Sequence, residues 1–205
     1  MLDIKSSSSN TNPQISTTER NITVNTNLQL APTYTKTSEL GDFQKILLRT
    51  NGSVTRLLET HLSEPIKLVK LSEYLGQMKH KLPNIKSNTK GKVLAREVLL
   101  QGKNSCRNLI YASSKIFIDN LEQQFSDQLL NSKTPIGKLW SEQKVETYKE
   151  IIDYGKEPAN ELSNYFSIAP DENLFFRTYT VFSQRKLTMM ITEKFPESYF
   201  CQKLS

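Results

Sequence analysis

The sequence predicts an α+β domain built on an antiparallel sheet, and three observations lead there. Extended segments come in pairs. Helix-period segments gather before and between those pairs instead of following each strand, as βαβ units would require. The last two extended segments are joined only by the polar link Ser183-Gln184-Arg185-Lys186, which marks a hairpin.

Residues 1–37 are crowded with Ser, Thr and Asn, as in Ser6-Ser7-Ser8-Ser9-Asn10-Thr11-Asn12, and show no helical or alternating period. They are expected to be disordered, which leaves 38–205 as a single domain. In that domain Leu40, Phe43, Ile46 and Leu47 fall at helical spacing, Asn51-Gly52 interrupts, and Val54, Leu57, Leu58 and Leu62 resume, predicting a helical hairpin. Extended segments follow at about 66–74, 93–101 and 108–117, the first two separated by a polar stretch with Pro83, Asn84 and Gly91. An amphipathic helix comes next, with Ile118, Leu121, Phe125, Leu129 and Leu130 on one side and Glu122, Gln123, Asp127 and Gln128 on the other. Pro135 opens a short second helical turn, and extended segments at about 144–154, 174–182 and 187–195 finish the chain.

Twenty-seven Lys and Arg against 21 Asp and Glu give a net charge of +6 and favour anionic partners. The basic run Lys79, Lys81, Lys86, Lys90 and Lys92 reads as a solvated loop, more economically than as a phosphate-binding stripe. No stretch approaches the roughly 18 apolar residues of a membrane span, and nothing resembles a helix-turn-helix or a base-stacking platform, so neither a transmembrane segment nor a nucleic-acid partner is expected. Trp140 and Tyr111 read as core aromatics. The two cysteines, Cys106 and Cys201, and the two histidines, His61 and His80, have the spacing of neither a zinc site nor a triad, so no metal is expected.

Side chains alternate along a strand, and that assigns the charges to faces. One face of the second extended segment reads Leu94, Arg96, Val98, Leu100, and the other Val93, Ala95, Glu97, Leu99. A strand apolar on both sides is covered on both, so Arg96 and Glu97 are both expected to be substantially buried or at a covered edge. Met189, Ile191, Glu193 and Phe195 repeat the pattern in the last strand, as do Phe175, Arg177, Tyr179 and Val181 in the one before it. A buried charge is costly unless paired. Two readings stand side by side: Arg96, Arg177, Glu97 and Glu193 neutralise one another, or the arginines hold a ligand's carboxylates while a glutamate meets its hydroxyl or proton. Two turns lead into helix starts, Asn51-Gly52-Ser53-Val54-Thr55 with Ser53 as N-cap and Thr134-Pro135-Ile136-Gly137. Ser132 to Lys138 lacks the upstream glycine and following hydroxyl of a phosphate loop.

These pieces, in this order, resemble the chorismate pyruvate-lyase family, especially its cyanobacterial and red-algal plastid-encoded branch. The matching residues are Asn51-Gly52-Ser53-Val54-Thr55, Arg96-Glu97-Val98-Leu99-Leu100, Leu109-Ile110-Tyr111-Ala112-Ser113-Ser114, Thr134-Pro135-Ile136-Gly137 and Ile191-Thr192-Glu193-Lys194-Phe195-Pro196, within about 40–199. The resemblance implies a six-stranded antiparallel sheet with helices packed on it, and conversion of chorismate to 4-hydroxybenzoate and pyruvate without metal or redox cofactor. It implies Arg96 and Glu193 as catalytic residues, with Arg96, Arg177, Val54, Ile136 and Glu193 binding the substrate, Val54 and Ile136 through flap turns. The stretch Gln101 to Arg107 departs from the better-known bacterial members and would alter the pocket edge. The resemblance further implies a plastid location, the alternative being a bacterial cytoplasm, and a monomer is expected. The competing functional reading is a noncatalytic binding module for a small aromatic or dicarboxylate ligand.

Overall fold

The computed structural model describes residues 40–78, 91–131 and 136–201. The expectations for 1–37, for the basic stretch 79–90 and for the turn 132–135 lie outside those residues.

The described chain runs α1 (Asp42–Arg49), α2 (Val54–Leu62), β1 (Ile66–Met78), β2 (Gly91–Gly102), β3 (Asn108–Phe117), α3 (Gln123–Asn131), α4 (Ile136–Glu142), β4 (Tyr148–Pro158), α5 (Ser163–Phe166), β5 (Asn173–Ser183) and β6 (Lys186–Pro196). The six strands form one antiparallel sheet in the order β1-β2-β3-β6-β5-β4. Two meanders thus join through the pairing of β3 with β6, and β1 and β4 are left as the two edges. The β5–β6 hairpin closes on Gln184 and Arg185, whose φ values of 49° and 63° are both left-handed, the conformation that matches strand twist in a two-residue turn. The expected four-residue link is therefore shorter, with Ser183 and Lys186 already paired.

One face of the sheet, the front, carries α1 to α4 in two groups. Leu47, Leu48, Val54 and Leu58 pack on Leu100, Ile110, Phe175 and Phe195 at one end. Phe125, Leu129, Leu139 and Trp140 pack on Leu94, Ile116, Val181 and Met189 at the other. Each fully buried side chain of this kind contributes about 1.5–3 kcal/mol. The charged front positions lie in the seam between the two groups.

Three further sequence expectations are corrected. The strand placed at 144–154 is Tyr148–Pro158, because the preceding residues end α4. Lys144 takes a left-handed φ of 53°, its N–H bonds Ser141 O, and Val145 N–H reaches Trp140 O at 3.0 Å, the paired bonds of a helix stop that usually carries glycine. The helix expected from Ile118 starts only at Gln123, after a 3-10 turn over Ile118–Asn120, and Leu130 is exposed on its surface. Finally, Glu97 is exposed. The back of the sheet is covered mainly at its ends, where Phe166 packs on Leu99, Tyr111 and Leu174 and where Val93, Phe117, Leu187 and Met190 cluster. Between them Glu97 accepts hydrogen bonds from Ser72 Oγ and Tyr111 OH, both at 2.7 Å, and keeps contact with solvent.

Candidate active site

Strand register brings the front-face charges together. Arg96 on β2 lies opposite Ser114 on β3 and Glu73 on β1; Ala112 on β3 lies opposite Glu193 on β6, which in turn faces Arg177 on β5. Val54 is the first residue of α2, after a turn in which Ser53 Oγ accepts Arg56 N–H as the expected N-cap. Ile136 is the first residue of α4. The two helix starts lie close together, since a Cβ on Gly137 would lie 3.3 Å from Ser53 Oγ. All five sequence-nominated residues, Arg96, Arg177, Glu193, Val54 and Ile136, line one cavity beside these helix starts, together with Ser114, Trp140, Lys149 and Tyr179. The divergent stretch Gln101 to Arg107 does not line it. That stretch is the β2–β3 turn, held by Glu64, whose carboxylate accepts from the N–H groups of Asn104 and Ser105 at 3.0 Å and from Ser105 Oγ at 2.8 Å.

Of the four-residue neutralisation considered from sequence, the Arg177–Glu193 pair forms, whereas Arg96 pairs outside that set, with Glu73. Arg177, fully buried, donates from Nε to Glu193 Oε2 at 2.7 Å and from Nη1 to Thr50 O at 2.8 Å. Glu193 Oε1 accepts from Tyr179 OH at 3.0 Å. Arg96 donates from Nε to Glu73 and from Nη2 to Leu129 O at 2.7 Å. Glu73 also pairs with Lys70 at 2.6 Å. A guanidinium has five N–H donors. Among the described residues, Arg96 Nη1 has no protein partner.

Burial has electrostatic consequences here. It raises the Tyr179 phenol well above its ordinary value, and Glu193 adds to the rise, so Tyr179 stays a neutral donor. For Arg177, burial pulls the pKa down, but Glu193 and then Tyr179 more than offset it and hold the guanidinium charged. Lys149 is lowered by burial, with Arg177 adding to the shift and Glu193 opposing it. Its Nζ donates to Gly52 O at 3.1 Å and lies 5.2 Å from the Trp140 ring and 5.6 Å from that of Tyr179.

Sequence reasoning missed Glu73, Lys149 and Tyr179 as cavity neighbours. Tyr179 was legible, being two positions from Arg177 on the same face. Glu73 was not, because a bulge at Lys70/Ser72 breaks the alternation of β1, and Lys149 was not, because the strand that carries it was placed from 144 and begins at Tyr148.

A charged cavity set in an antiparallel sheet and covered by helices is the architecture of a small-molecule-binding α+β domain. Among solved structures, the effector domain of PhnF from Mycobacterium smegmatis shares the fold with a TM-score of 0.57 at 8% identity, covering 73% of this chain and 91% of that one. PhnF itself matches with a TM-score of 0.56, again at 8% identity, over 73% of this chain and 65% of that one. Likeness at such identity speaks for the fold alone. Sequence comparison goes further: residues 48–202 match the Rv2949c-like chorismate pyruvate-lyases, and the chain belongs to that family. A chorismate pyruvate-lyase of Mycobacterium leprae is 33% identical over 106 residues, 52% of this chain. The match spans only half the length of that relative. One of Mycobacterium tuberculosis is 26% identical over 163 residues, 76% of this chain and 80% of that protein.

Proposed function

We propose that the protein is a lyase that eliminates pyruvate from chorismate to give 4-hydroxybenzoate. The observation that carries the reading is the meeting of Arg96, Arg177 and Glu193 in one cavity, beside the first residues of α2 and α4, in a chain of the chorismate pyruvate-lyase family. Chorismate is a dianion with a ring hydroxyl. Arg96, with donors to spare after Glu73 and Leu129, takes the ring carboxylate; Glu193, held from one side by Arg177 and from the other by Tyr179, takes the ring hydroxyl.

The chemistry balances within the substrate. The ether C–O bond breaks, its electrons leave with the three-carbon fragment, the ring carbon bearing the hydroxyl loses its proton, and the fragment's methylene gains one to become pyruvate. The ring becomes aromatic, and no oxidant or reductant is consumed. The protein's share is positioning and electrostatic stabilisation in a site where Val54, Ile136 and Trp140 keep water away and raise the strength of each charged contact. The same reading includes a monomer, tested by light scattering, and a plastid location, tested by fractionation.

The test is incubation of the purified protein with chorismate, following 4-hydroxybenzoate and pyruvate by chromatography beside an Arg96→Ala control. Equal amounts of both products, lost in the control, are expected. Saturable hydroxybenzoate binding without turnover would move the protein to the ligand-binding modules whose fold it shares.

A further inference from the structure

The scheme above leaves a cavity cation unused. Lys149 projects from β4 on the front face, opposite Val181 and one strand pair from Tyr179. Its polar partner is the Gly52 carbonyl, so two of the three ammonium donors remain. Among the described residues no carboxylate forms an ion pair with it. The other cavity cations are compensated: Arg177 by Glu193, and Arg96 in part by a Glu73 that it shares with Lys70. Summed over these groups, the cavity carries two net positive charges, one centred on Arg96 and one on Lys149.

Position adds a second, independent observation. Gly52, Ser53, Gly137, Trp140 and Lys149 line both the inner cavity and an outer cleft of about 360 Å³. Lys149 thus stands where the two spaces meet. A group bound there touches a cation while facing a way out.

Resting on the lyase reading, we infer that Lys149 receives the enolpyruvyl carboxylate of the substrate and holds it until it departs as pyruvate through the outer cleft, leaving Arg177 to position Glu193. Glu193 offsets the charge of Arg177, whereas among the described residues no carboxylate pairs with Lys149, which keeps its charge and two donors for the ligand. The carboxylate itself is unchanged in the reaction; the bond that breaks is the neighbouring ether C–O. Burial makes Lys149 easier to deprotonate, and an arriving carboxylate favours the protonated form, so dicarboxylate and proton reinforce each other's binding.

Two probes isolate the second carboxylate. One is 4-hydroxybenzoate, which lacks it; the other is the 3-enolpyruvyl ether of 3,4-dihydroxybenzoate, which carries it on a ring already aromatic and so cannot eliminate. Titration calorimetry on Lys149→Gln is expected to leave 4-hydroxybenzoate affinity within about twofold while weakening the ether roughly 10- to 100-fold, the span of a lost charge-assisted hydrogen bond. Lys149→Arg should recover most of the loss. As pH rises through the lowered Lys149 pKa, ether affinity of the unmutated protein should fall, and this fall should be absent in Lys149→Gln. Equal weakening of both ligands would reduce Lys149 to a tether for the Gly52 turn, and no weakening of either would remove it from the site; both results overturn the inference. Absence of chorismate turnover by the unmutated protein would sink the lyase reading while the two probes still score Lys149, and binding of neither probe would overturn both.

Discussion

Arg96 and Arg177 are equally buried, at 2% and 1% exposure, and each has a glutamate within ion-pair distance, yet they stand in opposite situations. Around Arg177, Glu193 has both oxygens engaged and Thr50 O takes a further donor. Around Arg96, the partner Glu73 comes from an edge strand, is 19% exposed and is shared with Lys70. Equal depth of burial thus hides different compensation: the carboxylate beside Arg177 is enclosed and engaged on both oxygens, and the one beside Arg96 is partly open to solvent and divided between two cations.

Mutations can break this comparison. The largest expected effect is on stability: Arg177→Met leaves Glu193 buried without its cation and should cost about 3–5 kcal/mol, read from the urea midpoint. The double variant Arg177→Met with Glu193→Gln should recover much of that loss, since it removes both charges together. Arg96→Ala should cost less stability, because Glu73 keeps Lys70 and some water, but it should lower 4-hydroxybenzoate affinity by about 100-fold or more. Should Arg96→Ala unfold the protein and Arg177→Met leave it intact, the roles are reversed. Glu193→Gln preserves shape and should lower chorismate turnover on the order of 100-fold, the lower range for a group engaged in proton chemistry; an unchanged rate would take Glu193 out of the reaction. The smallest effect is Tyr179→Phe, which removes one hydrogen bond to Glu193 and should cost about 1 kcal/mol. A larger loss would mean that Tyr179 does more than steady the carboxylate.

The four inner strands were largely legible. Val93–Gln101, Asn108–Phe117, Leu174–Phe182 and Leu187–Phe195 differ from their observed bounds by at most two residues, because apolar residues covered by helices impose a pattern that survives in one dimension. That Arg96, Arg177 and Glu193 occupy otherwise apolar front positions was legible for the same reason. The edges were not. In β1 the extra residue at Leu71 reverses side-chain parity, so Ser72 turns to the back, where it meets Glu97, and Glu73 turns to the front, beneath Arg96. Simple alternation from Ile66 places them the other way round. In β4 the first strand-like residues were spent on stopping α4, and Lys149 was lost in a segment drawn four residues too early.

Local chemistry therefore determined the class of fold, the inner strands, the helical hairpin with its Ser53 cap, and the presence of charges where apolar residues would be expected. These follow from periodicity and from the conformational preferences of single residues, which act over a few positions. Tertiary structure alone decided who neutralises whom: that Arg177 takes Glu193, that Arg96 takes Glu73 from an edge strand, and that Lys149 meets the cavity from the opposite edge. Pairing energy depends on distance in space and on solvent exclusion by distant segments. Neither is encoded in spacing along the chain, and a single bulge reverses which face of the sheet a charge occupies.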